Sequence, residues 1–188
     1  MTCILGIDPG QTGAVGFFFL EAGRVTVEDM PIAGDRVNGT LLKNRIWQLR
    51  PDVAIIENVA SMPKQGVAST FKFGLAYGTA IGVVQGLDIP LHFVTPGRWK
   101  KHFRLSSDKE EARRRALELF PHAADELALK KHHGRAEAAL IALFGAQTIP
   151  NIGSATPETG GGVADGVGGE FAGAVINSSS PRAGASGL

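Results

Sequence analysis

Three acidic residues stand where a carboxylate is costly. Asp8 closes the apolar run Cys3–Ile7 and opens the turn Asp8-Pro9-Gly10. Glu57 ends the β-branched run Val53–Ile56, and Glu137 is one of very few polar residues in the Ala/Leu-rich stretch Ala136–Gln147. A carboxylate taken out of water needs a partner or a metal ion. His133 precedes Glu137 by four residues, about 400° of helical rotation, so their side chains lie within about 40° on one face and one turn apart. Each residue also has a plainer use. Asp8 could cap an ordinary turn, Glu57 could be a solvated strand end, Glu137 could be favoured by a helix N-terminal dipole, and His133 could be a surface histidine. Taken together, three carboxylates and one optional imidazole form a hard donor set that suits Mg²⁺ or Mn²⁺ better than Zn²⁺. Two such ions about 4 Å apart can activate water and stabilise a leaving oxygen in phosphodiester cleavage.

The elements that would position these residues follow in order. Cys3–Asp8, Ala14–Leu20 and Arg24–Asp29 read as three strands in a meander, with Glu21-Ala22-Gly23 as a hairpin connection. Asn38–Arg50 reads as a helix, stopped by Pro51. Val53–Ile56 is a fourth strand with Glu57 at its carboxyl end, where ligands of open sheets gather. Val67–Gly86 is a helix with Gly74, Gly78, Gly82 and Gly86 in one row, a face that would admit another backbone. Leu91–Val94 is a fifth strand, and Pro96 opens a short helix. The next helix, Asp108–Phe120, is expected to be capped by Ser107 with Glu110 completing a capping box, and Ala136–Gln147 is a buried final helix. A meander followed by alternating helices and strands implies an α/β fold, a mixed sheet with helices on both faces.

Composition narrows the setting. Of 188 residues, the last 38 hold ten of the 25 glycines and only four charged residues, so 1–150 is read as one domain and 151–188 as a Gly/Ser/Ala-rich, disordered tail. No apolar run reaches the roughly 18 residues of a membrane span, so no membrane partner is expected. No signal peptide is expected either, because Met1–Ile4 has no basic segment ahead of an apolar one. The single cysteine, Cys3, excludes an internal disulfide and a cysteine-based zinc site, which fits a reducing, cytoplasmic setting. Net charge is +1, but Arg98–Arg115 carries eight basic residues against three acidic ones, and Lys130, Lys131, His132, His133 and Arg135 form a second cluster. Such clusters are solvated faces or phosphate-binding stripes.

Four segments in this order resemble the RuvC-type Holliday-junction resolvases of the RNase H-like superfamily, nearest to small phage and bacterial members and to plant chloroplast resolvases. They are GIDPGQTGA (Gly6–Ala14), AIIENV (Ala54–Val59), VTPGRWKKHFRLSSDKEEARRRALELFP (Val94–Pro121) and HHGRAEAALIALFG (His132–Gly145). The resemblance spans about Ile4 to Gly145. It implies an RNase H-like mixed five-stranded sheet flanked by helices, and two Mg²⁺ ions per site with Mn²⁺ as a substitute. By the same resemblance Asp8 would bridge the ions, Glu57 would bind one, and Glu137 and His133 would complete the site. Lys109 would stand near the scissile phosphate, and Phe71 near the junction crossover, where a ring could stack on an unpaired base. Arg98, Lys100, Lys101, Lys109, Arg113, Arg114, Lys130, Lys131 and Arg135 would hold backbone phosphates. The implied activity is structure-specific cleavage of four-way or other branched DNA by paired symmetric nicks, leaving 5′-phosphate and 3′-hydroxyl ends. A homodimer in the cytoplasm of a bacterial or phage-infected cell is implied with it.

Two departures stand out. The last acidic position is Glu137, where many relatives have Asp, and the position three residues earlier, where many have a ligand, is Gly134. By the resemblance His133 is then expected to be the fourth ligand, with His132 as the alternative. Three other readings remain open. They are an RNase H-like nuclease acting on RNA, a junction-binding protein without catalysis, and the phosphate loop of actin-like kinases, which needs a second lobe that 150 residues do not supply.

Overall fold

The computed structural model describes residues 1–59, 66–150 and 152. The disordered tail expected over 151–188 lies, apart from Ile152, outside the described residues. The strands are β1 (Cys3–Asp8), β2 (Ala14–Phe19), β3 (Arg24–Asp29), β4 (Ile32–Ala33), β5 (Arg36–Val37), β6 (Val53–Glu57) and β7 (Leu91–Val94). The helices are α1 (Gly39–Leu49), α2 (Val67–Gln85), α3 (Pro96–His102), α4 (Lys109–Leu119), α5 (Ala124–Leu127) and α6 (His133–Thr148), with 3₁₀ turns at Pro121–Ala123 and Lys130–His132. The main sheet has the order β3-β2-β1-β6-β7. β1, β2 and β3 pair antiparallel, while β6 and β7 run parallel to β1. The five expected strands and their meander are all present. The β4–β5 hairpin was not anticipated, because two-residue strands leave no periodic signal.

Alternation along the strands sorts the core into two layers. Leu5, Ile7, Ala54 and Ile56 point to one side and pack with Leu42 and Ile46 of α1 and Ala76, Ala80 and Val84 of α2. Ile4, Phe18 and Ile55 point to the other side and pack with Trp99 of α3, Ala112 and Ala116 of α4, and the apolar length of α6. Ile152 still packs against this second layer.

α6 approaches the sheet closely because small residues meet there. A Cβ on Gly6 would overlap the Ala138 carbonyl and the Ala142 nitrogen, and one on Gly16 would sit 2.9 Å from the Ala138 carbonyl carbon. The glycine row of α2 is not used this way. A Cβ on Gly74, Gly78 or Gly82 would meet nothing within 4 Å among the described residues. Ala76, Ala80 and Val84 form the docked face instead. α2 is also long and apolar enough to cross a bilayer, by length and composition, with a mean hydropathy of 1.3. A search for unbroken apolar runs misses it because Ser69, Thr70, Lys72 and the glycines interrupt the helix.

Two further local expectations are corrected. Asp108, not Ser107, caps α4, its Oδ1 accepting from the Glu110 N–H at 2.9 Å. A carboxylate at this position also meets the positive end of the helix dipole. The return bond comes from Glu111, which accepts from the Ser106 N–H at 2.8 Å, while Glu110 pairs with Arg113. α6 begins at His133, three residues before Ala136, which places Gly134 and Glu137 in its opening turns.

Candidate active site

The alternation that buries Ile7 and Ile56 on the α1–α2 side turns Asp8 and Glu57 toward α6. The register Ile7↔Ile56 then sets the two carboxylates side by side at the ends of adjacent parallel strands. α6 runs along β1 with a stripe of small residues: Gly145 on Ile4 and Ile55, Ala142 and Ala138 on Gly6, and Gly134 on Asp8. A Cβ at Gly134 would lie 3.0 Å from Asp8 Oδ2 and 3.0 Å from the Thr12 carbonyl oxygen. The Asp8 carboxylate and the Thr12 carbonyl thus stand close to where a side chain at position 134 would begin. Glu137 follows one turn later and is buried, as is Glu57.

Burial and mutual repulsion govern the electrostatics. Burial pushes the Asp8 carboxyl well above the usual carboxylate range; Glu137 and Glu57 push the same way, and Lys109 and Lys100 partly oppose them. Burial also raises Glu57, whereas a hydrogen bond from Trp99 lowers it. The indole Nε1–H donates to Glu57 Oε1 at 2.8 Å, and both residues are buried. Lys100, the next residue on α3, places its ammonium 3.2 Å from Glu137 Oε1. Sequence reading assigned Trp99 no role. Its signal was present, since it is the bulkiest apolar residue of a basic helix and a buried indole needs an acceptor.

His133 does not join the carboxylates. Its Nδ1 lies 3.3 Å from the Lys130 carbonyl oxygen. His132 is buried with Nδ1 unpartnered among the described residues, and it titrates lower because of burial and of Arg135 beside it. Among the described residues, no three His, Cys, Asp or Glu side chains stand close enough to enclose a cation. The donor chemistry nevertheless fits a hard divalent ion, because Asp8, Glu57 and Glu137 supply only carboxylate oxygens, and burial together with the neighbouring carboxylates raises Asp8 and Glu57.

The basic residues divide into two groups. Arg135 forms a two-pronged ion pair with Asp29, at 2.6 and 2.8 Å, which ties α6 to β3. Arg113 bonds Glu110 and the Ala128 carbonyl, holding α4 to the loop after α5. Both therefore have structural partners that the sequence did not reveal. Lys101, Lys109, Arg114, Lys130 and Lys131 are exposed. Arg98 lies over the Phe144 ring, 5.9 Å from its centre. Phe71 is 66% exposed near the start of α2, so it is not a core residue.

This is the RNase H-like fold of RuvC. The chain superposes on T. thermophilus RuvC in complex with Holliday junction substrate with a TM-score of 0.58 and 19% identity, covering 78% of this chain and 96% of that one. A second Thermus thermophilus RuvC structure gives a TM-score of 0.49 at 18% identity, covering 78% and 96%. The yeast mitochondrial Holliday junction resolvase gives 0.49 at 16% identity, covering 75% and 76%. No protein-family model and no curated protein matches the sequence.

Proposed function

We propose that this protein is a metal-dependent endonuclease that resolves four-way DNA junctions. The observation that carries the reading is the convergence of Asp8, Glu57 and Glu137 from two strand ends and a helix start, on the fold of RuvC. Asp8, Glu57 and Glu137 would hold two Mg²⁺ ions, or Mn²⁺, which would supply activated water and stabilise the leaving oxygen of an in-line displacement. His133 stays outside this set.

The chain's own groups do the rest. Asp8 faces both other carboxylates and is the member placed to be shared between ions. Trp99 holds one oxygen of Glu57 and leaves the other to bind. Lys109 opens α4, acts on both Asp8 and Glu57, and would stabilise charge developing on the scissile phosphate. Lys101, Arg114, Lys130 and Lys131 would hold backbone phosphates, and Phe71 would stack on an exposed base. Paired symmetric nicks, leaving 5′-phosphate and 3′-hydroxyl ends, need two sites related by a two-fold axis. The Gly-rich face of α2, with Gly74, Leu75, Gly78 and Gly82, is the surface we assign to that homodimer. The second reading is junction binding without cleavage. The absence of a side-chain ligand at Gly134 favours it.

The deciding test is a synthetic four-way junction beside a linear duplex of the same sequence, with Mg²⁺ or EDTA. Paired nicks on the junction alone, lost in EDTA, support the resolvase. Tight binding without nicks in either Mg²⁺ or Mn²⁺ selects the binding protein, and cleavage of branched RNA alone moves the substrate. A second prediction concerns Trp99→Phe, which keeps a ring in the core but removes the donor to Glu57. Glu57 should then ionise less readily, and Mn²⁺ affinity should fall about tenfold or more, as read by calorimetry.

A further inference from the structure

We propose that Lys100 is an internal counter-ion that competes with a divalent cation for Glu137. Cation binding and release of the Lys100 ammonium are then one linked exchange. This rests on the metal-site reading above and assigns Lys100 a role different from a standing phosphate contact.

Burial is the first argument. The Lys100 and Glu137 side chains are 19% and 9% exposed, while the other lysine pair, Lys72 with Asp35, is 54% and 69% exposed. Exposed pairs contribute little, whereas a desolvated charge is held firmly by its partner. A lysine devoted to DNA would extend into solvent, as Lys101 does.

Anchoring is the second argument. Trp99 is fully buried and fixed by its bond to Glu57, so the backbone that carries Lys100 is fixed too. The ammonium lies 5.2 Å from the centre of the Trp99 ring, an additional cation–π attraction toward the cluster. Two successive residues of α3 thus serve two carboxylates, one with a neutral donor and one with a charge.

Charge is the third argument. Lys100 and Lys109 both lower the proton affinity of Asp8 and Glu57. Three carboxylates with these two ammonium groups carry a formal charge of −1, counted from the named residues. One divalent ion takes this to +1, and a second takes it to +3. Each added ion therefore works against Lys100, and the displaced ammonium finds its new partner in a phosphate oxygen. Coupling of this kind is reciprocal, so occupancy by the cation and engagement of DNA strengthen each other.

The test is Mn²⁺ affinity without DNA, read from the free-Mn²⁺ EPR signal. Lys100→Met keeps the stem and removes the charge. It should bind Mn²⁺ roughly tenfold more tightly than wild type, the worth of one modest charge contact. Lys100→Gln should do the same, should the Met variant fail to fold. Lys100→Arg and Lys101→Met should match wild type. A gain in affinity cannot come from structural damage, which only weakens binding. Wild type that binds Mn²⁺, with both neutral variants equal or weaker, overturns the exchange and leaves the metal site standing. Wild type that binds no Mn²⁺ overturns the metal-site reading and the exchange together.

Discussion

Asp8→Asn should abolish junction cleavage and, at the same time, make the protein more stable. The loss should be about a thousandfold or more, the several kcal/mol that a correctly held ion contributes to a phosphoryl transition state. The gain follows from linkage. Burial, Glu137 and Glu57 raise the Asp8 carboxyl well above its ordinary value of 3.8. A raised acid favours the folded state while it is protonated. That contribution is complete below the unfolded pKa and is lost as pH rises through the folded one. At neutral pH, above the unfolded carboxyl's ordinary range, Asp8 therefore opposes folding relative to a neutral group, and an amide removes the opposition. Without divalent ions, the Tm of Asp8→Asn should exceed wild type by roughly 2–4 °C for each kcal/mol relieved. The gap should close as pH falls to the ordinary carboxylate range. Added Mn²⁺ should raise the Tm of wild type and leave the variant nearly unmoved. A variant less stable than wild type at every pH would mean that Asp8 is a structural turn residue. Thermal melts at several pH values, run beside the junction assay, separate the two cases.

Gly6→Ala should be severely damaging for a single added methyl. Its Cβ would overlap backbone atoms of Ala138 and Ala142. Backbone on both sides leaves no flexible side chain to yield, so α6 must lift from β1. Overpacking of this kind costs about 3 kcal/mol or more, on the order of 10 °C in Tm. The consequence also reaches the site. Glu137 sits on α6 beside Ala138, so lifting the helix draws Glu137 away from Asp8. Any folded remainder should have lost Mn²⁺ affinity, measured by calorimetry below its lowered Tm. A near-wild-type Tm would show that the sheet and α6 are not in backbone contact at Gly6.

Much of this was legible beforehand, for identifiable reasons. Asp8 and Glu57 follow apolar β-branched runs, and the boundary between an apolar run and a charge is a strong local signal. Glu137 stood out because its neighbours are alanine and leucine. The strand order followed from the meander and the later alternation with helices. What local spacing could not show was direction. The four-residue step from His133 to Glu137 placed both on one helical face, yet His133 Nδ1 faces the Lys130 carbonyl. Charge runs likewise did not reveal that Arg135 belongs to Asp29, more than a hundred residues away, or that Arg113 belongs to the loop after α5. The glycine row of α2 predicted a close contact that Gly6, Gly16 and Gly134 make instead.

The two layers and the five strands could be read from the chain, and Asp8, Glu57 and Glu137 stood out as carboxylates in apolar surroundings, because each signal depends on residue type and on periods of two or about four. Only the tertiary structure decided which groups meet. The parallel register of β1 and β6 aligned Asp8 with Glu57, and the small-residue stripe of α6 brought Gly134 onto Asp8. The turn of α3 across the sheet end gave Glu57 its indole and Glu137 its ammonium. Those pairings join residues 49, 126, 42 and 37 positions apart. At such separations no local periodicity constrains the partner; close packing of the folded chain does.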